Sequence, residues 1–231
     1  MTTDSESEMY VPDVVPAEDS AYYENEGRYG NRVGWGETPA VLVVDMTLAF
    51  TGEAPDVSGP CIDATERLLS TARDADAPVV YAKPNPAGTY PDGYPVTTKA
   101  SPASSRGPDP SDLDDHEGRE EWLSNLDRVV PALEPREEDP VVRKSRASAF
   151  FDTHLANLLR YDGVDTLVVA GMTTSGCIRA TVADSHSSNF RTIVPQECVA
   201  DPSGISHEVG LFDMDMKYAD VTPLSAVLEK L

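Results

Sequence analysis

Positive charge, cysteine and long apolar runs are all scarce in this chain. Its 231 residues carry 18 Lys and Arg against 40 Asp and Glu, a formal net charge of −22. Lysine occurs only at Lys83, Lys99, Lys144, Lys217 and Lys230. A field of that sign repels phosphate backbones and anionic lipid, so no nucleic-acid partner and no membrane partner is expected. No stretch approaches the roughly 18 consecutive apolar residues of a membrane-spanning helix. The opening MTTDSESEMYVPDVVPAEDS is acidic and lacks the basic and apolar regions of a signal peptide, which makes a cytoplasmic location the expectation. Three cysteines, Cys61, Cys177 and Cys198, are an odd number in such a chain and argue against a disulfide framework. The acid is spread along the whole sequence rather than gathered in a tail. That is the pattern of a solvated acidic surface suited to high salt.

What is present reads as one α/β domain. Residues 1–36 are polar and rich in Glu, Tyr, Gly and Pro, and are expected to form an extended arm, partly disordered at its start. Tyr22, Tyr23, Tyr29 and Trp35 are its candidates for packing on the body or on a neighbouring subunit. Residues 37–231 form the domain. Short apolar runs predict six strands: 39–44, 78–82, 140–144, 166–170, 191–195 and a final edge strand at 219–221. Helical patterns fall between them, beginning at Ser58-Gly59-Pro60, over 120–133, over 150–161, just after Cys177, and over 207–216 as the last. Residues 83–118, rich in Pro, Gly, Ser and Asp, are read as an irregular insertion, either a lid near the site or a flexible decoration. Strand and helix alternate, which predicts a three-layer α/β/α fold, Rossmann-like, with a central, mostly parallel six-stranded sheet.

Three of these strands end in chemistry. The run PAVLVV stops at Asp45, VVRK stops at Lys144, and TLVVA leads through Gly171 and a hydroxyl-rich turn to Cys177. Open parallel sheets place ligands at the carboxyl ends of their strands. A thiol at a helix start lies near unpaired N–H groups with partial positive charge, which favours the reactive thiolate. The same N–H groups can receive an oxyanion. Each residue also has a plainer reading: a packed cysteine, a loop-capping aspartate, a solvent-reaching lysine. His154, His186 and His207 fall at no spacing that marks a Cys–His dyad. Phe50, in the loop after Asp45, is a candidate to line a pocket.

The segments AVLVVDMTLAF, VVRKSRASAFFDTHL and VVAGMTTSGCIRATVADSHSSNFRTIVPQECVAD resemble those of the isochorismatase-like cysteine hydrolases, over about residues 30–225. KSRASAFF, TTSGC and LFDMDMKYADV bring the chain nearest to the N-carbamoylsarcosine amidases. The resemblance implies a nucleophilic Cys177, Asp45 as general base and later acid, and Lys144 holding both. It implies an oxyanion hole built from the backbone N–H groups of Thr173 and Cys177, and a cis peptide at Met172–Thr173. Phe50, Thr173 and Thr174 become the candidate substrate contacts. The implied activity is ammonia release from a small linear amide or N-carbamoyl compound, by a homodimer or homotetramer that needs no cofactor.

One position departs from the amidases. They tend to carry, directly after the residue matching Asp201, an Arg that pairs with the substrate carboxylate, and here Pro202 stands there. Arg143, Arg146 and Arg179 are the candidate substitutes. Nicotinamidases bind a metal through Asp-x-His after the second strand; this chain reads KPNPAGTY there, so no metal is expected. Isochorismatases that cleave a vinyl ether lack the cysteine. Maleamate-type and other small linear amides stay open, as does a non-catalytic member that binds a small molecule. If the acidic surface is a salt adaptation, folding and activity should both rise between low and molar salt. Indifference to salt would remove that reading.

Overall fold

A computed structural model of the chain describes residues 9–26, 29–85 and 116–231. In chain order its elements are α1 (Ala17–Glu26), β1 (Pro39–Val44), α2 (Leu48–Gly52), α3 (Pro55–Asp74), β2 (Val79–Pro84) and α4 (His116–Asp127). Then follow β3 (Val141–Lys144), α5 (Leu155–Tyr161), β4 (Thr166–Met172), a π-helical turn (Thr174–Ile178) and α6 (Arg179–Ser187). The chain closes with β5 (Arg191–Pro195), β6 (Val199–Ala200), α7 (Gly204–Lys217), β7 (Asp220–Thr222) and α8 (Leu224–Lys230).

The strands form one parallel sheet in the order β3-β2-β1-β4-β5-β7. Among the described residues it has seven strands rather than six. The extra one is β6, two residues long and too short to show in a pattern. β5 pairs with β4 only as far as Val168, and β6 takes up the edge of β4 at Gly171 and Met172. From β1 the chain winds outward through β2 to β3, and from β4 it winds the other way through β5 to β7. The direction therefore reverses between β1 and β4, the position at which open parallel sheets place their ligands.

Helices cover both faces, which is why the central strands read as unbroken apolar runs. Ala40, Leu42 and Val44 of β1 face a core shared with Leu155, Ile178, Val182 and Leu211. Val41 and Val43 face the opposite core, with Leu68 and Leu69 of α3 and Val227 of α8. Cys61 and Cys198 are buried free thiols in this second core.

Four expectations about helices are corrected. The helix expected from Ser58 begins at Pro55 and carries Pro60 inside it. The helix expected over 120–133 stops at Asp127, because the next residues pair with the loop after Asp45. Leu48 N–H donates to Arg128 O (2.9 Å), Val130 N–H donates to Met46 O (3.0 Å), and Thr47 and Val129 form an antiparallel bridge. The helix expected from Phe150 starts at Leu155, leaving Phe151 55% exposed. Thr153 Oγ1 donates to Ala149 O and accepts the Leu155 N–H, a local bonding pattern that competes with an earlier helical turn. Finally, α7 is not the last helix, since α8 follows β7. The disorder expected at the start of the arm falls on residues 1–8, outside the described residues, as does most of the expected 83–118 insertion. Lys83 and Pro84 belong to β2, and His116 opens α4.

The arm is not simply extended, since it contains α1. It is strapped to the sheet's far edge. Tyr23 packs edge-on against Phe212 with centroids 5.5 Å apart, and Trp35 packs on the second core. Asp220 accepts the Val33 and Gly34 N–H groups, both at 2.9 Å. The enclosed Asp215 carboxylate accepts the Tyr10 and Val221 N–H groups at 2.8 Å and pairs with Arg32. Asp215→Ala would leave Arg32 and two N–H groups without that acceptor. Breaking a buried pair from one side costs about 3–5 kcal/mol. The melting midpoint should fall by roughly 10 °C, and proteases should clip the arm sooner. An unchanged midpoint would show that the strap contributes nothing.

Candidate active site

β1 and β4 meet at one close approach. Gly171 has φ +130°, and a Cβ there would sit 1.9 Å from the Val44 carbonyl oxygen. Only glycine lets the end of β4 lie against the residue before Asp45. Asp45 itself has φ +54°, and its N–H donates to Ala82 O at 2.9 Å. Its side chain is fully enclosed.

Lys144 arrives from the end of β3, where it pairs in register with Pro84, and its side chain spans the width of β2 to reach Asp45. Its ammonium has three acceptors for three protons: Asp45 Oδ2 at 2.6 Å, Arg146 O at 3.2 Å and Cys177 Sγ at 3.3 Å. Burial works against the charged amine, yet the Asp45 carboxylate and the Cys177 sulfur outweigh it and hold Lys144 above its ordinary value. The lysine therefore stays charged throughout the working range of pH.

Cys177 differs from expectation. Burial and the adjacent Asp45 carboxylate push the thiol up to about 12, against the opposing pull of Lys144. The helix-start argument for a lowered value is overridden, because a thiolate here would be a second anion in a space with one cation. The resting site thus holds a thiol, a carboxylate and an ammonium.

The turn carrying Cys177 is unusually wide. The Met172–Thr173 peptide is cis. The Thr173 carbonyl accepts the N–H groups of Gly176 (3.0 Å) and Ile178 (3.1 Å), and the Cys177 N–H is not among its donors. Cys177 lies within this π-helical turn rather than ahead of the helix. At Gly176 a Cβ would come within 2.6 Å of Thr173 Oγ1, so any larger residue would force that hydroxyl to move. The Asp201 carboxylate holds the turn from behind: Oδ2 accepts the Ser175 N–H (3.0 Å) and hydroxyl (2.7 Å), while Oδ1 accepts the Ser203 N–H (3.0 Å). Ser203 caps α7, so one carboxylate ties the start of that helix to the cysteine turn.

Thr173 is partly exposed beside Cys177. Thr174 is fully buried, and its hydroxyl lies 2.8 Å from His207 Nδ1. Phe50 lies partly exposed on α2, five residues past Asp45. Arg143 is committed to Asp127, which Lys83 also grips, and Arg179 pairs with Asp213 at 2.9 Å. Arg146 contributes its carbonyl to Lys144. Among the described residues, no group of three His, Cys, Asp or Glu is placed to hold a metal ion. Asp201 and His207 are additions to the expected set. Asp-Pro-Ser-Gly before an amphipathic run is a helix-start signal that pointed to Asp201. Nothing local marks His207, whose partner is 33 residues away.

Comparison with known proteins agrees with this architecture. The isochorismatase domain family matches residues 39–225. Maleamate amidohydrolase of Pseudomonas putida is 36% identical over 221 residues, covering 92% of this chain and 95% of that protein. N-carbamoylsarcosine amidase of an Arthrobacter species is 30% identical over 220 residues, covering 90% of this chain and 76% of that protein. A cysteine hydrolase structure from Pseudomonas syringae pv. phaseolicola superimposes with a TM-score of 0.69 at 23% identity, over 87% of this chain and 96% of that one, a likeness of fold. With the family matched from β1 to the start of α8, the chain belongs to the isochorismatase family.

Proposed function

We propose that the protein is a cysteine-dependent amidohydrolase that cleaves a small linear amide or an N-carbamoyl compound and releases ammonia. The observation that carries this reading is the Lys144 ammonium set between the Asp45 carboxylate and the Cys177 sulfur in a buried site. The relatives named for maleamate and for N-carbamoylsarcosine support the same class of bond.

In the reaction, Asp45 takes the Cys177 proton as Sγ attacks the amide carbon. The carbonyl oxygen becomes an oxyanion, received by the Thr173 and Cys177 N–H groups. Asp45 then passes its proton to the departing nitrogen, the carbon–nitrogen bond breaks, and ammonia leaves a thioester or thiocarbamate on Cys177. Water loses a proton to Asp45 and attacks that carbon. The carbon–sulfur bond breaks, the acid departs, and the proton returns to sulfur. Lys144 keeps its proton throughout and neutralises the anion beside it.

Arg143 and Arg179 are held by their own carboxylates, and Pro202 offers no guanidinium. Maleamate and N-carbamoylsarcosine both carry a carboxylate, so this does not separate them; the higher identity to a maleamate enzyme makes maleamate the first substrate to test and N-carbamoylsarcosine the second. An ammonia-release assay in high salt should find turnover within a panel of maleamate, N-carbamoyl amino acids, biuret and nicotinamide. Cys177→Ala should abolish it, a loss of about 10³-fold or more, with circular dichroism and melting midpoint retained. Full activity in that variant would refute the mechanism.

The raised thiol gives a separate outcome. Alkylation of Cys177 by iodoacetamide should still be climbing at about pH 10, because the thiolate fraction keeps growing until pH passes the thiol's own value. In Asp45→Asn the carboxylate that raises the thiol is gone, and the plateau should move to lower pH. A wild-type plateau below about pH 8 would contradict the charge arrangement described here.

A further inference from the structure

The turn between Thr173 and Cys177 is held by two side chains that reach it from the connection leading into α7 and from that helix's first turns. Asp201 takes Ser175, as described above. The second contact is Thr174 Oγ1 to His207 Nδ1, at 2.8 Å. Thr174 is fully buried, so no water replaces this partner if it is removed. His207 is half-buried, and a Cβ added at Gly210, one turn further along α7, would stand 3.5 Å from both Thr174 and Ser175, so the helix runs close to the turn there. Burial pushes the imidazole below its ordinary value, against the opposing pull of Glu208 and Asp201, so the ring is neutral near pH 7. A neutral imidazole offers one donor and one acceptor, and Nδ1 is the nitrogen aimed at Thr174.

We propose that His207 is a positioning residue for the oxyanion cradle: by holding the Thr174 hydroxyl through Nδ1, it fixes the backbone from Thr173 to Cys177. This inference rests on the amidohydrolase reading. The chain of action is short. Thr174 directly follows Thr173, whose N–H is one proposed oxyanion donor, and Thr173 O is the acceptor around which the π-helical turn closes. Loosening Thr174 lets both proposed donors swing off the oxyanion position. Transition-state stabilisation by such donors depends on their being aimed in advance. The substrate's ground state does not depend on them to the same degree, so the loss should fall on kcat rather than KM.

The test compares three variants of the full chain on an amide that the wild type hydrolyses. His207→Leu removes the bond and should lower kcat about 10–100-fold, with KM within about threefold. His207→Asn places an amide group near the Nδ1 position and should recover most of the rate. His207→Gln places its amide near the Nε2 position instead and should not. A second readout needs no turnover. Butyraldehyde should add to the Cys177 thiol: the carbon–sulfur bond forms as the carbonyl π bond opens, and the thiol proton passes to Asp45, leaving an alkoxide, or on to the new oxygen, leaving a hydroxyl, in the proposed cradle. Its dissociation constant should weaken in His207→Leu and His207→Gln and be restored in His207→Asn. Equal kcat and equal aldehyde affinity in folded wild type and His207→Leu would overturn the proposal. Should His207→Leu fail to fold, equal values in the Asn and Gln variants would overturn it as well. A wild type inert across the whole amide panel would instead strike the functional reading, while the aldehyde series would still report on His207.

Discussion

A carboxylate and an ammonium 2.6 Å apart, closed off from water, set the terms for the rest of this molecule. Either charge alone would cost several kcal/mol to bury, and the pair offsets this only if its geometry is held closely. The fold holds it on every side. Parallel pairing sets the ends of β1 and β3 on either side of β2. Gly171 lets β4 close onto Val44. The residues just after Asp45 are stitched to Arg128, Val129 and Val130. Lys144 has an acceptor for each of its three protons, so its position is determined as well as its charge.

The sheet and the meeting of Asp45, Lys144 and Cys177 were readable for the same reason. Unbroken apolar runs such as PAVLVV belong to strands covered on both faces, and a charged residue or turn directly after such a run lies at the sheet's carboxyl edge. Topology does the remainder, since strands adjacent in a parallel sheet present their ends together. What escaped reading was decided by partners distant in the chain. Asp127 ends its helix because Arg128 to Val130 find Met46 to Leu48. Phe151 lies outside a helix because Thr153 bonds to its own backbone neighbours. The arm's helix α1 was missed because its sequence, AEDSAYYENE, has little amphipathic pattern, and the arm is held in place by Tyr23 on Phe212 and by Asp215 and Asp220. The thiol's elevated value was missed for a related reason. A helix-start argument sees only the local dipole, whereas burial and Asp45 are tertiary facts.

Surface and site make opposite use of charge. Over the whole chain 40 acidic residues stand against 18 basic ones, and among the described residues only Asp45, Asp201, Asp215, Asp220 and Lys144 of these are buried. Near the site, the cations are fixed one by one: Lys144 by Asp45, and Lys83 and Arg143 by Asp127. Salt screens exposed charges, the Asp127 pairs among them, over a Debye length of about 8–10 Å and reaches the buried Lys144–Asp45 pair much less. A chain of this charge can therefore keep the same site chemistry while its surface responds to ionic strength.

The proposed reaction keeps the buried site's charge constant, which explains why a raised thiol and a raised lysine belong together. At rest, the carboxylate and ammonium cancel and the sulfur is neutral. When sulfur attacks, its proton neutralises Asp45 and the negative charge moves to the oxyanion, with Lys144 still positive. When ammonia leaves, the acyl sulfur is neutral and Asp45 is again the partner of Lys144. At no stage does the site hold an uncompensated ion, the condition that low-dielectric surroundings penalise most. A thiolate at rest would break that balance before any substrate arrived. The elevated thiol is therefore compatible with a nucleophile whose proton leaves only as its bond to carbon forms, with Asp45 already in place to receive it.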